Sequence, residues 1–227
     1  MIRLASLAIL TLCSASFLSA QKPRNSLVLL LIGPPGVGKS LHAKSLARKY
    51  KVPAISVQDV LRAELGKQSS SRLSQALQPL ISSGELVSAP EADALMRARL
   101  LRPDAGKGFI LDGYPTTPAQ AESLRQFLTE NKYPRPIVIL LDAPDEVLKT
   151  RMEMRHRADD TPQTIERRIR EYRELGRQAA DWYGNDNLLR VDGSAPAAIV
   201  TARVVEQIEE ADTTTGFKVR RPVPAKP

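Results

Sequence analysis

Cysteine and histidine are scarce in this chain, and their scarcity excludes several kinds of site. Cys13 is the only cysteine among 227 residues, so neither an internal disulfide nor a cysteine-ligated zinc cluster can form within the chain. The two histidines, His42 and His156, lie far apart in the sequence. We therefore expect no structural metal site and, in particular, no zinc.

Aromatic residues are also few, at 4% of the chain, which leaves little surface for stacking nucleic-acid bases. The formal net charge is +8, but Arg3 and four basic residues of the acid-free segment 217–227 carry most of it. The remaining body is nearly balanced. We therefore predict no nucleic-acid partner, and we expect 212–227 to form a flexible basic tail.

The N-terminal segment carries no charge between Arg3 and Lys22. An apolar stretch is followed there by small residues, which predicts a secretory signal peptide over 1–20 with cleavage after Ala20. The apolar part is too short for the roughly 20 residues of a membrane-spanning helix. We expect an exported protein with no stable membrane span after signal removal. The alternatives are a mitochondrial-type leader, lipidation at Cys13, a start codon placed too early, and a cytoplasmic protein.

The body, 21–211, alternates strand-like and helix-like segments. Apolar residues make up 42% of the chain, which is enough for one sizeable core. Strands are predicted at 26–32, 52–57, 108–112, 137–142 and 188–192. Helices are predicted at 39–49, 59–65, 72–83, 90–101, 118–130, 145–155, 161–182 and 196–211. Connections of crossover length favour an α/β fold with a five-stranded parallel sheet wrapped by helices.

Residues 33–40 read GPPGVGKS, which fits the phosphate-binding pattern G-x-x-x-x-G-K-[ST] between a buried strand and a helix. Glycines at three of these positions permit backbone angles that let successive N–H groups converge on a polyphosphate at a helix N-terminus. Lys39 would then reach the terminal phosphates, and Ser40 would ligate Mg²⁺. The alternative is a glycine-rich structural turn.

Further motifs follow this loop in a characteristic order. They are ISVQDVLRAELG at 55–66, GELV at 84–87, GFILDGYP at 108–115 with Gln120, LDAPDEVLKTRMEMRHRADDTPQTIERRIREY at 141–172, and VDG at 191–193. In this order and spacing they resemble adenylate kinase and its nucleoside-monophosphate kinase relatives. The resemblance implies a monomeric enzyme that moves the γ-phosphoryl group of ATP to a nucleoside monophosphate, AMP by default, with Mg²⁺ as cofactor. It also implies an acceptor-binding insertion at about 56–88 and a short lid at about 155–160.

The resemblance assigns roles to individual residues. The implied ATP-binding residues are Gly33, Pro34, Pro35, Gly36, Val37, Gly38, Lys39, Ser40, Leu41 and Arg151. The implied residues of the monophosphate site are Ser56, Val57, Arg62, Val87, Gly113, Thr116 and Gln120, with Arg62 on the phosphate and Gln120 on the base. The implied catalytic residues are Lys39, Arg151, Arg155, Arg157 and Arg168. Ser40 would ligate Mg²⁺ directly, and Asp112 would hold its water shell.

These residue types suit phosphoryl transfer, because positioned cations stabilise the charge that spreads over the equatorial oxygens. Other arginines of the same region, Arg170, Arg173 and Arg177, are expected on a solvated helix face. Trp182 and Tyr183 are expected to pack in the core.

Three departures from the family pattern stand out. The usual K-G-T is Lys39-Ser40-Leu41, the usual S-T-G-D has Val57 in place of threonine, and the usual DGFPR ends in Thr116. The missing arginine at 116 should weaken use of the acceptor by roughly ten- to a hundredfold, because a charged hydrogen bond to phosphate is lost. The alternative function is therefore an ATP-binding protein with a degenerate acceptor site and weak or no kinase activity.

Overall fold

The computed structural model describes residues 26–65, 89–157, 159–184 and 188–215. Within these ranges five strands form one parallel sheet in the order β2-β3-β1-β4-β5. The strands are β1 (Leu27–Ile32), β2 (Ala54–Ser56), β3 (Gly108–Asp112), β4 (Ile137–Asp142) and β5 (Leu188–Asp192). The α/β fold with a five-stranded parallel sheet is thus confirmed.

Helices connect the strands and cover both faces of the sheet. They are α1 (Lys39–Tyr50), α2 (Val57–Leu65), α3 (Ala89–Leu100), α4 (Pro118–Glu130), α5 (Asp145–Met154), α6 (Pro162–Glu171), α7 (Arg177–Tyr183) and α8 (Ala197–Thr215). A short 3-10 helix, Pro103–Lys107, precedes β3. The helix predicted at 72–83, Val87, the predicted signal segment and most of the predicted tail lie outside the described residues.

The single helix predicted over 161–182 is interrupted. A π-helical turn, Tyr172–Gly176, separates α6 from α7. Wider turns of this kind are rare within α-helices and shift the faces that the flanking segments present. Here the turn carries the side chain of Arg173 back to the end of β4.

The core has two layers, one on each face of the sheet. One layer contains residues of α1, α5, α6 and α8, such as Leu46, Met152 and Val204. The other contains residues of α3, α4 and α7, such as Met96 and Phe127. All six residues of β1 are buried, because the central strand of a covered parallel sheet is enclosed on both faces. Burial of each large aliphatic side chain contributes about 1.5 to 3 kcal/mol.

The loop 33–38 leaves the carboxyl end of this central strand and leads into α1. Open parallel sheets bind ligands at this edge, so the fold places the predicted phosphate loop at the expected point. In the part of the chain that the structure describes, no helix is long and apolar enough to cross a membrane.

Candidate active site

The glycine loop is held in its shape by close backbone packing. A Cβ atom on Gly33 would lie 2.3 Å from the carbonyl oxygen of Leu141 in β4. At Gly36, where φ is +82°, a Cβ atom would lie 2.9 Å from the carbonyl oxygen of Leu148. Side chains at these two positions would push the loop away from β4 and α5. The glycines therefore serve close approach as well as backbone conformation.

Val37 anchors the middle of the loop, because its side chain is fully buried in the core layer beneath α1. Its methyl group lies so close to Gly193, just after β5, that a Cβ atom there would come within 2.7 Å. Pro34 is buried, Pro35 is half-buried, and Leu41 is 56% exposed at the start of α1. Since the first N–H groups of α1 have no intrahelical acceptor, they remain suited to an anion.

Lys39 folds back onto its own loop. Its ammonium donates hydrogen bonds of 2.7 Å to the carbonyl of Gly33 and 2.8 Å to that of Pro34. Burial lowers the pKa of Lys39 to about 8, the nearby Asp112 carboxylate opposes this shift, and Arg155 adds to it. The structure thus brings Lys39, Asp112 and Arg155 into one electrostatic environment, as a transferred phosphoryl group would require.

Ser40 and Asp112 offer oxygen ligands at this edge of the sheet. Ser40 is exposed in the first turn of α1, and Asp112 ends β3 half-buried. Among the described residues there is no cluster of three or more histidine, cysteine or carboxylate side chains that could hold a metal ion. One hydroxyl and one carboxylate still fit Mg²⁺, because this ion takes few protein ligands and completes its shell with water and phosphate oxygens.

The start of α2 carries three residues of the predicted acceptor site. The Ser56 hydroxyl accepts from the backbone N–H of Asp59 at 3.1 Å and donates to its carboxylate at 2.8 Å, which caps the helix. Arg62 is exposed and donates to the same carboxylate at 3.2 Å. Val57 packs against the core layer on its side of the sheet. Arg62 is thus held only by a weak, exposed ion pair with Asp59.

Thr116 and Gln120, both predicted in the acceptor site, bond to each other. The side-chain carbonyl of Gln120 accepts from the backbone N–H of Thr116 at 2.8 Å and from its hydroxyl at 2.9 Å. Gln120 is 4% exposed, in the first turn of α4. Gly113, with φ of +71°, lies near Lys39, since a Cβ atom there would be 3.6 Å from the lysine Cε. One short loop, 113–117, therefore lies between Lys39 and Gln120, the residue predicted to bind the base.

A half-buried polar network that includes Tyr114 of this loop was not predicted from the sequence. The carboxylate of Asp93 in α3 accepts hydrogen bonds from the hydroxyls of Tyr114 and Ser123. Arg97, one turn further along α3, donates to the Ser123 hydroxyl at 3.1 Å and its carbonyl at 2.9 Å. Burial, together with Asp93, raises the pKa of Tyr114, so this phenol stays a donor. The i, i+4 spacing of Asp93 and Arg97 was the available signal, but it indicates only a helical ion pair.

Two of the four predicted lid arginines meet at one carboxylate. Arg155 and Arg168 both donate to Asp160, and the Arg168–Oδ1 distance is 3.2 Å. Arg168 also contacts Asp159 at 2.6 Å and holds the pKa of that carboxyl below its usual range. Arg157 is exposed, and no ion pair joins it to any residue that the structure describes. It is therefore the least restrained of the lid cations.

Arg151 lies away from this pair and binds the segment after β5. Its guanidinium donates to the carbonyls of Gly193, Ser194 and Ala195 at 2.6 to 3.1 Å. These partners lie more than 40 residues later in the sequence, so spacing alone could not reveal them. The planar guanidinium joins α5 to the loop that follows the last strand.

The expectation for Arg173 was wrong. Its guanidinium donates to the carboxylates of Asp142 and Asp145, both at 2.8 Å, and to the carbonyl of Ala143 at 2.8 Å. The π-helical turn brings this side chain inward, where it joins the segment after α6 to the end of β4. Arg170 and Arg177 are exposed, as expected.

Trp182 also differs from the expectation, because it is 37% exposed, whereas the adjacent Tyr183 packs against the core. Both residues lie on α7 after the π-helical turn, which changes the faces that this segment presents.

His42, which had no predicted role, is buried between α1 and α8. Its Nδ1 lies 2.9 Å from the Thr201 hydroxyl, and that hydroxyl donates its single hydrogen to the Ala197 carbonyl. Burial, with a smaller effect of Arg151, lowers the pKa of His42 and keeps the ring neutral beside the glycine loop.

Comparison with known proteins identifies the family of this chain. The family model described as adenylate kinase matches residues 31–188. An adenylate kinase of Cyanothece sp. is 37% identical over 187 residues, which covers 80% of this chain and 95% of that protein. One of Stenotrophomonas maltophilia is 36% identical, covering 80% of this chain and 98% of that protein. One of Brucella ovis is 36% identical, covering 78% and 95%.

These relatives give no support to the alternative of a nucleotide-binding protein with weak or no kinase activity. The family model matches well over half of the chain, and the relatives are matched along nearly their whole length. The chain therefore belongs to the adenylate kinase family and is a nucleoside-monophosphate kinase.

Proposed function

We propose that the protein transfers the γ-phosphoryl group of ATP to AMP, giving two molecules of ADP. The observation that carries this proposal is the convergence of Lys39, Asp112 and Arg155 at the carboxyl edge of the sheet, beside the glycine loop. The acceptor AMP is supported by the names of the relatives, which are adenylate kinases.

In this function the residues of the loop 33–41 hold the triphosphate through backbone N–H groups. Lys39 would exchange its two carbonyl partners for phosphate oxygens, and its positive charge would follow the transferred group. Arg155, Arg157 and Arg168 would close over the phosphates, whereas Arg151 would line the donor side beside residues 193–195. Planar guanidinium groups fix oxygen positions as well as supplying charge.

The acceptor would lie between α2 and the loop 113–117. Arg62 would bind its phosphate, Gln120 its base, and Ser56, Val57, Val87, Gly113 and Thr116 would line the site. Val87 lies outside the described residues, so its place in this site stays a prediction. Since position 116 supplies no cation, Arg62 would carry the acceptor phosphate without the usual second arginine.

Mg²⁺ fits the oxygen ligands at this edge and is part of the proposal. Ser40 would ligate it, and Asp112 would accept hydrogen bonds from its water shell. When bound, the ion neutralises phosphate charge in the reaction. Asp112 also faces Lys39, so the same carboxylate would keep the lysine oriented towards the phosphates.

A coupled assay for ADP tests the proposal, with ATP and Mg²⁺ plus AMP, CMP, UMP or GMP in turn. We expect ADP to form with AMP, and Lys39→Met to lower that rate by at least a hundredfold. Lys49→Met is the matched control, because Lys49 lies on the same helix and makes weak surface contacts, an ion pair with Glu209 at 3.8 Å and a contact with the Tyr50 ring. Absence of ADP with every monophosphate would reject the proposal.

We also propose export of the mature chain through the N-terminal segment 1–20, on the order of its charged, apolar and small residues. Sequencing the N-terminus of protein purified from its natural source tests this. A chain that begins after Ala20 supports export, and one that begins at Met1 supports a cytoplasmic protein. The expected monomer is tested by light scattering on the same material.

A further inference from the structure

The orientation of the Gln120 amide is fixed by chemistry. Amide oxygen and nitrogen atoms are often assigned by inference, but the backbone N–H of Thr116 can only donate. The Gln120 atom that lies 2.8 Å from this N–H must therefore be the oxygen. The Thr116 hydroxyl donates to the same oxygen at 2.9 Å, so both lone pairs of the amide carbonyl are occupied.

The surrounding loop holds this arrangement in place. The N–H of Gly113 donates to the Leu31 carbonyl at 3.1 Å, and the Tyr114 hydroxyl donates to Asp93. At the other end, the Thr117 hydroxyl accepts from the backbone N–H of Gln120 at 3.2 Å and caps α4. Turning the amide over would place its NH₂ group against the Thr116 N–H, which leaves buried donors unpaired.

The two hydrogen bonds from Thr116 determine which atoms of the Gln120 amide remain available to a ligand. A free glutamine amide pairs with adenine through two hydrogen bonds, because its NH₂ donates to a ring nitrogen while its oxygen accepts from the 6-amino group. With its oxygen saturated, Gln120 offers only the NH₂ donor. A donor alone can pair with N1 of adenine or, after a small shift of the base, with the 6-oxygen of hypoxanthine.

We propose that Thr116 broadens base selection, so that the enzyme accepts 6-oxopurine nucleoside monophosphates as well as 6-aminopurine ones. This rests on the proposed function, which places Gln120 at the base of the acceptor. Thr116 is thus a positioning residue that acts through Gln120. Where the family pattern has an arginine, this chain has Thr116, and its hydroxyl donates to the oxygen of Gln120.

The test compares AMP with IMP, because their bases differ in the 6-substituent and in the protonation of N1. For the wild-type enzyme we expect kcat/KM with IMP to lie within about tenfold of that with AMP, since one hydrogen bond separates good from poor discrimination. Thr116→Val keeps the branched shape but frees one lone pair of Gln120. It should raise the AMP-to-IMP ratio by roughly three- to tenfold.

Thr116→Ser is the matched control, because it retains the hydroxyl and should keep the wild-type ratio. A general loss of packing would change both variants alike, and thermal melting of each reports whether it folds. If Thr116→Val does not fold, Thr116→Ala replaces it. The AMP-to-IMP ratio of the wild-type enzyme tests the proposal without any variant. A wild-type preference for AMP above a hundredfold, or equal ratios in the valine and serine variants, would overturn the proposal.

This outcome is separable from failure of the proposed function. If no monophosphate yields ADP, phosphoryl transfer to AMP is rejected, and calorimetric Kd values for AMP and IMP then test the base selection alone. Similar Kd values for the two nucleotides support the inference, and a Kd for IMP more than a hundredfold weaker overturns it.

Discussion

The guanidinium of Arg155 donates hydrogen bonds to both carboxylate oxygens of Asp160, with an Nη2–Oδ1 distance of 2.8 Å. The Asp160 side chain is 1% exposed, and it also accepts from Arg168. Charge-assisted bonds of this kind fix the planes of both guanidinium groups. One buried carboxylate therefore orients two of the lid cations before any nucleotide binds.

Asp160→Asn should lower kcat by roughly ten- to a hundredfold, because the two arginines lose the charge that orients them and each such bond contributes about 1.5 to 3 kcal/mol. Steady-state kinetics with saturating ATP and AMP measure this. Glu171→Gln is the control, since it removes the carboxylate of an exposed pair with Arg167 at 3.0 Å on the neighbouring helix. A variant at Asp160 that is as active as the control would contradict this role.

ATP binding should weaken as the pH rises above 8. In the free protein the pKa of Lys39 is lowered to about 8, mainly by burial, so the ammonium is increasingly neutral above that pH. A bound triphosphate favours the charged form, so the affinity should fall by roughly tenfold between pH 7 and pH 9. Calorimetric titration across this range checks the slope.

Lys39→Arg provides the comparison for that titration, because arginine stays protonated over the whole range and should give a flat profile.

The pH dependence of stability has the opposite sign to that of ATP affinity. Since the pKa of Lys39 is lower in the folded protein than in the unfolded chain, the unfolded chain binds more protons from about pH 8 to pH 10.5. The contribution of this lysine to the free energy of unfolding therefore rises with pH over that interval.

Arg173→Met should lower the free energy of unfolding by about 1 to 2 kcal/mol, which corresponds to a fall in Tm of roughly 2 to 8 °C. The substitution removes the contacts with Asp142, Asp145 and the Ala143 carbonyl, and the partial exposure of the guanidinium keeps the loss moderate. Arg170→Met, on the exposed face of α6, should leave Tm unchanged. Equal Tm values for the two variants would show that the contacts of Arg173 add no stability, as expected for a residue on a solvated helix face.

Gly33→Ala should abolish ATP binding and destabilise the fold, because the new Cβ atom would meet the Leu141 carbonyl oxygen at 2.3 Å. Gly184→Ala separates this clash from backbone strain, since Gly184 has φ of +72° and, among the described residues, no atom lies within 4 Å of an added Cβ. Strain alone costs about 1 kcal/mol. Chemical denaturation and ATP titration of both variants measure the difference, and an alanine at 33 that binds ATP normally would refute the packing argument.

The sheet and the glycine loop were predictable because local signals agree with the global fold there. The aliphatic runs of β1 and β4 are buried on both faces, and the pattern at 33–40 depends on neighbouring residues only. The helix that starts with Thr161 and Pro162 was also predictable, since Thr161 caps it. Its interruption at Tyr172 was not, because no helix-breaking residue precedes that turn.

Most side-chain partners in the site could not be predicted from the sequence. Arg151 meets residues 193–195, and Arg173 meets Asp142, through contacts that exist only once the sheet has assembled. The pairing of Thr116 with Gln120 is local, with a spacing of four residues, but their predicted roles directed attention towards ligands. Polar residues that satisfy one another are indistinguishable in sequence from residues that await a substrate.

The contact between Val37 and Gly193 has a consequence for the newly made polypeptide. The nucleotide cradle belongs to the first strand, yet its support comes from the segment after the last strand. A nascent chain still short of that segment would present an incomplete cradle on the ribosome. Competence to hold ATP should therefore arrive near the end of translation, although the glycine loop 33–38 is among the first parts of the fold to emerge.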